Sequence, residues 1–223
     1  MSRTMHAGAA ALVAAPAVAI AGIVVQPTLS DDAADQLSAL TDHRAATIAS
    51  IALSAIAIVL LIAGIIWLVV AIGPGATRVA TAGGVLGVFG ALVVLFENGI
   101  AAAAPSAVHG LDPATATALL DRVNSSAAVS ILEPLSLLGD VGLALLGLAV
   151  VSAGAPRLVG ASIAAGAFGQ GIGFATGTKV LVVASFAILL FGLARAVQTL
   201  IRNQVPFAQP PRQRAPATRP AAM

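Results

Sequence analysis

Long apolar runs recur along the chain and are separated by shorter polar stretches. A transmembrane helix needs about 20 mostly apolar residues to cross a hydrocarbon core of roughly 30 Å, and six runs come close to or exceed this length. The pattern therefore predicts an all-α integral membrane protein, a bundle of about six transmembrane helices with short extracytoplasmic helices. The predicted spans are 9–25, 48–72, 79–96, 134–153, 158–176 and 180–201.

Composition supports this prediction and excludes other classes. Of the 223 residues, 59% are hydrophobic and only 9% are charged. A soluble domain has about 25% charged residues, and a disordered chain has low hydrophobicity. Cysteine is absent, which excludes disulfides, zinc–thiolate sites and thiol nucleophiles. The 11 cationic side chains are too few for a nucleic-acid surface, so no nucleic-acid partner is expected.

The distribution of arginine and lysine predicts the orientation. By the positive-inside rule, we expect both termini in the cytoplasm, because only Arg44, Arg122 and Lys179 then fall outside. All nine acidic residues lie outside or in an outer half under this threading. The amino-acid composition is rich in alanine and has far more arginine than lysine, which suggests a bacterial protein. We therefore expect it to reside in a bacterial plasma membrane. The cations expected inside are Arg3, Arg78, Arg157, Arg202, Arg212, Arg214 and Arg219.

The first span allows a second interpretation, and the C-terminal residues differ from the spans. Ala19-Ile20-Ala21 resembles a signal-peptide cleavage site, but the apolar run continues through Val25, which favours a retained span. Residues 202–223 contain five prolines and four arginines but no acid. We expect this basic tail to be disordered and cytoplasmic.

The two longer loops carry helix-start signals. Ser30 precedes Asp31 and Asp32, which is typical of an N-cap followed by acids in the first turn. Asp112-Pro113 is an N-cap followed by proline at the first helical position. We therefore expect a short helix on the outer surface in each loop.

Glycine spacing predicts close helix packing. Gly169, Gly173 and Gly177 recur every four residues, and Gly83 and Gly87 repeat the spacing once. Small residues at this interval let helix backbones approach closely where lipid supplies no hydrophobic drive. We expect packing inside the bundle; contact with another membrane protein or a second copy, and a substrate path, are alternatives. Gln170 lies in the same stretch and needs a hydrogen-bonding partner on another helix.

Ionisable residues within the spans are candidates for function, because each is costly to hold in a bilayer. Asp140 and Glu133 are seven residues apart and share a helix face, while Glu97 and Lys179 lie at the same outer level. Together they predict an outward-facing acidic pocket for a cation or proton. Alternatively, Asp140 is exposed at the outer interface or pairs with Lys179.

Motifs of enzymes and cofactor sites are absent from the sequence. There is no nucleophile elbow, metalloprotease motif or phosphate-binding loop, and the three histidines are scattered. We therefore expect neither an enzyme nor a catalytic, cofactor or metal site. Trp67 is interpreted as an interfacial anchor near the end of its span.

Three short stretches carry a family resemblance: Leu119-Leu120-Asp121, residues 132–135 (LEPL) and residues 155–160 (APRLVG). With the six spans, they resemble uncharacterised actinobacterial six-span membrane proteins of unknown function. The resemblance implies the same architecture and no particular activity.

Two functions are consistent with these features. The first is a non-enzymatic structural, accessory or partner-binding role in the lipid bilayer. The alternative is a small transporter or ion-coupled permease component that uses the acidic pocket. No span is broken by a Gly-Pro pair at its middle, as transporter helices often are, which favours the first.

Overall fold

The computed structural model describes residues 3–27, 32–73 and 76–204. Within these ranges the chain forms eight α-helices. They are α1 (Arg3–Val25), α2 (Ala33–Asp42), α3 (Arg44–Ile72), α4 (Thr77–Ala107), α5 (Pro113–Asn124), α6 (Ala127–Ser152), α7 (Arg157–Ala175) and α8 (Lys179–Gln204). The tail was predicted to be disordered from residue 202, but α8 continues to residue 204. Residues 205–223 lie outside the described part.

Six of these helices are long and apolar enough to cross a membrane: α1, α3, α4, α6, α7 and α8. The all-α, six-span fold class is therefore confirmed. Several helices are longer than the spans that the hydropathy predicted. α4 continues past residue 96 to Ala107, and α6 begins at Ala127 rather than at 134. A helix does not stop where its apolar run stops, because its backbone hydrogen bonds need no apolar side chains.

The six long helices form three antiparallel hairpins, in which α1 packs on α3, α4 on α6 and α7 on α8. Neighbouring hairpins meet at three seams, α3–α4, α6–α7 and α8–α1. The α8–α1 seam closes a ring. A continuous apolar core that includes Leu12, Leu68, Leu146 and Leu193 fills its centre.

Glycine allows the closest approach, in the hairpin of α4 and α6. A Cβ atom on Gly142 would lie 2.2 Å from the backbone nitrogen of Gly87, and one on Gly83 would lie 2.8 Å from the carbonyl oxygen of Gly142. A Cβ on Gly90 would likewise lie 2.3 Å from the nitrogen of Gly139. Gly83 and Gly87 therefore lie on a helix-packing face, inside the bundle.

Of the three glycines spaced four residues apart, Gly169 and Gly173 pack against a helix, whereas Gly177 lies in a turn. Gly169 and Gly173 face α8, where their Cβ atoms would meet Ser185 and Val182. Gly177 lies outside the helix, because α7 ends at Ala175. It is exposed in the turn before α8, with a φ of 63°. Glycine adopts this left-handed conformation without a steric cost, so Gly177 belongs to the turn rather than to the predicted packing face.

The two short helices, α2 and α5, pack against each other at one end of the bundle, and we call them the cap. Their apolar sides share a small cluster with the end of α4, which includes Leu40, Val108 and Leu120. The amide of Asn124 donates to Gln36 Oε1 at 3.1 Å and links the two helices. Short helices in both loops are thus confirmed.

The N-terminal caps of these helices are both aspartates. Asp112 accepts from the backbone N–H of Thr115, as predicted. α2 is capped by Asp32, which accepts from Ala34 and Asp35. The predicted cap at Ser30 lies outside the described residues, and the helix begins two residues later than expected.

Trp67 does not have the predicted interfacial position. Its side chain is only 8% exposed and packs against Gly8 of α1. The prediction considered only the distance of Trp67 from the span end, whereas the face on which it lies points at α1. α1 is thereby an integral part of the bundle, with Leu12 and Pro16 fully buried.

Candidate functional site

Asp140 lies inside the protein on α6, at the seam with α7. Its side chain is 7% exposed, so the alternative of an exposed carboxylate is wrong. Oδ1 accepts a hydrogen bond of 2.9 Å from Nε2 of Gln170 on α7. The expectation that Gln170 needs a partner on another helix is therefore confirmed, and that partner is Asp140.

The second oxygen of Asp140 faces the backbone of α7. A Cβ atom on Gly171 would lie 3.0 Å from Oδ2 and 3.7 Å from a methyl carbon of Leu137. A side chain larger than glycine at position 171 would therefore press against the carboxyl of Asp140. Among the described residues, the amide of Gln170 is the side chain that hydrogen-bonds to this carboxyl.

Lys179 lies at a different seam. Its ammonium group donates to the backbone carbonyls of Gln26 and Pro27, which follow the last turn of α1. A cation at this position satisfies free carbonyls and interacts favourably with the negative end of the helix dipole. The predicted ion pair of Lys179 with Asp140 is not formed, because α8 begins beside α1 and not beside α6.

Glu97 and Glu133 come together without Asp140. In the α4–α6 hairpin Gly90 lies opposite Gly139, and the same antiparallel register places Glu97 opposite the helical turn that holds Glu133. Asp140 lies seven residues farther along α6, about 10 Å at the rise of an α-helix. The four predicted site residues therefore occupy three places.

Each seam of the ring contains a polar side-chain contact in the half nearer the cap. At the α3–α4 seam the amide of Asn98 donates to the hydroxyl of Ser54 at 2.9 Å. Asp140 with Gln170 and Lys179 with the end of α1 occupy the other two seams. The contact between Asn98 and Ser54 was not predicted, although both are polar side chains within apolar spans and could have been recognised by that signal.

The cap carries a wide, shallow groove between the first turns of α2 and α5. Its volume is about 800 Å³, and Ala34, Thr117 and Asp121 are among its lining residues. Beside it, hydrogen bonds from Thr115 hold the pKa of Asp112 below its usual value. Asp112 therefore remains an anion over a wider pH range than an ordinary aspartate.

The structure suggests no metal centre in the parts of the chain that it describes. No group of three or more histidine, cysteine, aspartate or glutamate side chains there is arranged to hold a metal ion. What the buried site offers chemically is one carboxyl and one amide. Such a pair can hold or release a proton.

Comparisons with protein-family models, with curated proteins and with solved structures find no match to this chain. These comparisons therefore supply no relative from which a function could be inferred.

Proposed function

We propose that this multi-pass protein is a non-enzymatic accessory protein of a bacterial plasma membrane, and that it binds a partner through the cap. The main support for this proposal is the folded structure of the cap. α2 and α5 have 10 and 12 residues, which is too short to span a bilayer. They nevertheless fold against each other with their own apolar cluster. The chain thus holds a structured surface at one end of the bundle.

The chemistry of the cap indicates the kind of partner. The groove is lined mostly by small side chains, together with Asp32 and Asp121. Asp35 and Asp112 are exposed nearby. A concave surface with acidic edges suits a protein segment that carries positive charge, because complementary potentials guide association.

The packing of the glycines favours the cap over the helix faces as the place of contact. The sequence left open whether the glycine-rich faces bind another membrane protein. Gly83 and Gly87 lie against α6, and Gly169 and Gly173 lie against α8. Since these faces are used within the chain, a partner has to meet another surface.

The charges at the two ends support an outward-facing cap and cytoplasmic termini. Arg78 and Arg157 begin α4 and α7, and Arg202 lies in the last turn of α8. All three are at the end opposite the cap. Their position agrees with the positive-inside rule.

Single cysteines test the orientation, since the natural chain has none. Thr117→Cys places a thiol in the cap groove, and Ser152→Cys places one at the opposite end, where residue 152 is exposed. A membrane-impermeant maleimide added to intact cells should label residue 117 and leave 152 unlabelled until the membrane is opened. The reverse pattern would overturn the proposed orientation.

Crosslinking tests partner binding with the same variants. In native membranes, a short thiol-reactive crosslinker on Thr117→Cys should give a discrete adduct. Thr176→Cys is a matched control, because residue 176 is exposed at the same end of the bundle and does not line the groove. Filling the groove with Ala118→Trp should remove the adduct. Equal adducts at residues 117 and 176 would contradict a binding site in the groove.

A second candidate function is a small transporter or an ion-coupled permease component. The observation that favours it is the buried carboxyl of Asp140, since ionisable groups within membranes commonly mark ion or proton pathways. Proton flux into liposomes that contain the protein should then fall in Asp140→Asn. Flux that is equal in the two proteins would refute this candidate.

A further inference from the structure

Asp140 is a buried acid whose hydrogen-bond partner is a neutral amide. Gln170 donates one N–H to Oδ1, and no charged side chain of the described residues pairs with this carboxyl. A buried carboxylate ordinarily requires a cation or several hydrogen-bond donors, because burial of an isolated charge is costly. A single amide is a weak substitute for the water that the carboxylate would lose.

The charged groups on the neighbouring elements do not compensate this charge. Glu133 on the same helix and Glu97 on α4 are both acidic, and they lie two turns away. The only titratable side chain of α7 is Arg157, in its first turn, at the end away from the cap. Arg78 lies in the first turn of α4, also at the end away from the cap. The remaining titratable groups on elements that contact α6, or at their N-caps, lie at the cap end, and they are His43 and Arg44 at the start of α3 and Asp112, Asp121 and Arg122 on or beside α5.

The donor set also excludes a metal ion as the compensating charge. Hard cations such as Ca²⁺ require about six to eight oxygen ligands. Among the described residues, no group of three or more histidine, cysteine, aspartate or glutamate side chains is placed to hold a metal ion. A proton requires only the one oxygen that is present.

We propose that Asp140 is a reversible proton-binding site, in which Oδ2 carries the proton and Oδ1 accepts the hydrogen bond from Gln170. The neutral carboxyl stabilises the α6–α7 seam, because it can keep this hydrogen bond without a buried charge. Loss of the proton leaves a carboxylate with one donor, which weakens the seam. The inference is independent of both proposed functions, since a site that holds a proton need not transport it.

Gly171 controls access to the proton. It places no side chain next to Oδ2, whereas an alanine there would bring its methyl group to 3.0 Å from that oxygen. A larger residue would therefore obstruct a reagent that approaches the protonated oxygen.

Dicyclohexylcarbodiimide tests the proposal, because it reacts with a neutral carboxyl and partitions into membranes. The carboxyl oxygen bonds to the central carbon of the reagent and its proton passes to a reagent nitrogen. The O-acylisourea so formed rearranges to a stable N-acylurea without a leaving group. Carboxyls in water are ionised at about pH 7 and react poorly. Wild-type protein in liposomes would be labelled across a pH series, and the sites mapped by peptide mass spectrometry.

We expect Asp140 to be labelled at about pH 7, where carboxyls in water are ionised and react poorly. Labelling of Asp140 should fall as the pH rises further. If Asp140 reacts only in the acidic range in which carboxyls in water are protonated, the proposal is wrong. The wild-type protein suffices for this comparison, so a misfolded variant cannot obscure it.

Two variants test the surroundings of the proton. Gln170→Leu removes the hydrogen-bond donor that favours the charged form, so labelling should persist to higher pH than in the wild type. Gly171→Ala should slow labelling several-fold. Gly99→Ala is the matched control, because a Cβ on residue 99 meets nothing within 4 Å. Curves that are unchanged in both Gln170→Leu and Gly171→Ala would overturn the assigned site.

Discussion

Gly142→Ala should destabilise the protein more than an ordinary glycine substitution within a helix. The new methyl carbon would lie 2.2 Å from the nitrogen and 2.6 Å from the Cα of Gly87, and 2.7 Å from the carbonyl oxygen of Gly83. Each of these atoms belongs to backbone, so no flexible side chain can move away. Carbon atoms pack at about 3.5–4.0 Å, so α4 and α6 would have to separate by about 1 Å.

The magnitude is the balance of two opposing effects. Forcing extra volume into a packed core costs about 1–3 kcal/mol, and a backbone contact belongs at the upper end of this range. Alanine recovers about 0.5–1 kcal/mol of helix propensity. The expected loss of unfolding free energy is therefore about 2 kcal/mol. Gly99→Ala should instead be neutral or slightly stabilising, because nothing lies within 4 Å of its Cβ position.

Gly139→Ala is the most informative comparison. Residue 139 lies in the same hairpin, yet its Cβ would be 3.4 Å from the Cα of Gly90, which is ordinary contact. We expect a change well below that of Gly142→Ala. A general need for glycine in this segment would destabilise both variants equally.

Unfolding in mixed micelles with increasing dodecyl sulfate measures these differences. Trp67 is the only tryptophan and is buried, so its fluorescence reports loss of the bundle, while circular dichroism reports the helices. If Gly142→Ala unfolds at the same denaturant fraction as Gly99→Ala, the backbone contact between α4 and α6 does not exist as described.

Three further predictions follow from other contacts. Lys179→Met removes the ammonium group from the carbonyls of Gln26 and Pro27, and the same unfolding assay should show a loss of about 1 kcal/mol; an unchanged stability would refute this role. Ser54→Ala removes the acceptor of an interhelical hydrogen bond, which in membranes is worth only about 0.6 kcal/mol, so a loss of several kcal/mol would contradict a simple hydrogen bond. The pKa of Asp112 is lower folded than unfolded, so its contribution to α5 is present above the unfolded pKa and is lost as the pH falls through the folded one. Amide hydrogen exchange in α5, corrected for its intrinsic pH dependence, should show this loss in the wild type. Asp112→Asn should instead keep the hydrogen bond at the N-terminus of α5 at all pH values.

Local features of the chain were predictable from the sequence. The six spans follow from long apolar runs, and both cap helices follow from an aspartate and a favourable first turn. The close packing of Gly83 and Gly87 follows from their spacing, since four residues return to the same helix face. Span ends were less predictable: α4 continues ten residues beyond Glu97 to Ala107, because the helix extends beyond its apolar run.

Which helix each face meets could not be predicted. In a soluble protein, a polar face marks the side that points outward. A membrane helix can be apolar on both its lipid side and its protein side, so this signal is lost. Trp67 was therefore expected to face the interface, although it faces α1. Lys179 was expected beside Asp140, although the closing of the ring places it beside Gln26.

The class of the protein, the number of its spans, the position of its cap helices and the presence of an acid within a span were all predictable, because these properties depend on residues that are close in the chain. Three contacts emerged only on folding: Asp140 meets Gln170 of α7, Gly171 lies beside its second oxygen, and Glu97 packs across from the turn of Glu133 rather than beside Asp140. These contacts join residues far apart in the chain, and only the packing of the helices, which glycine brings close, sets their rotation and register.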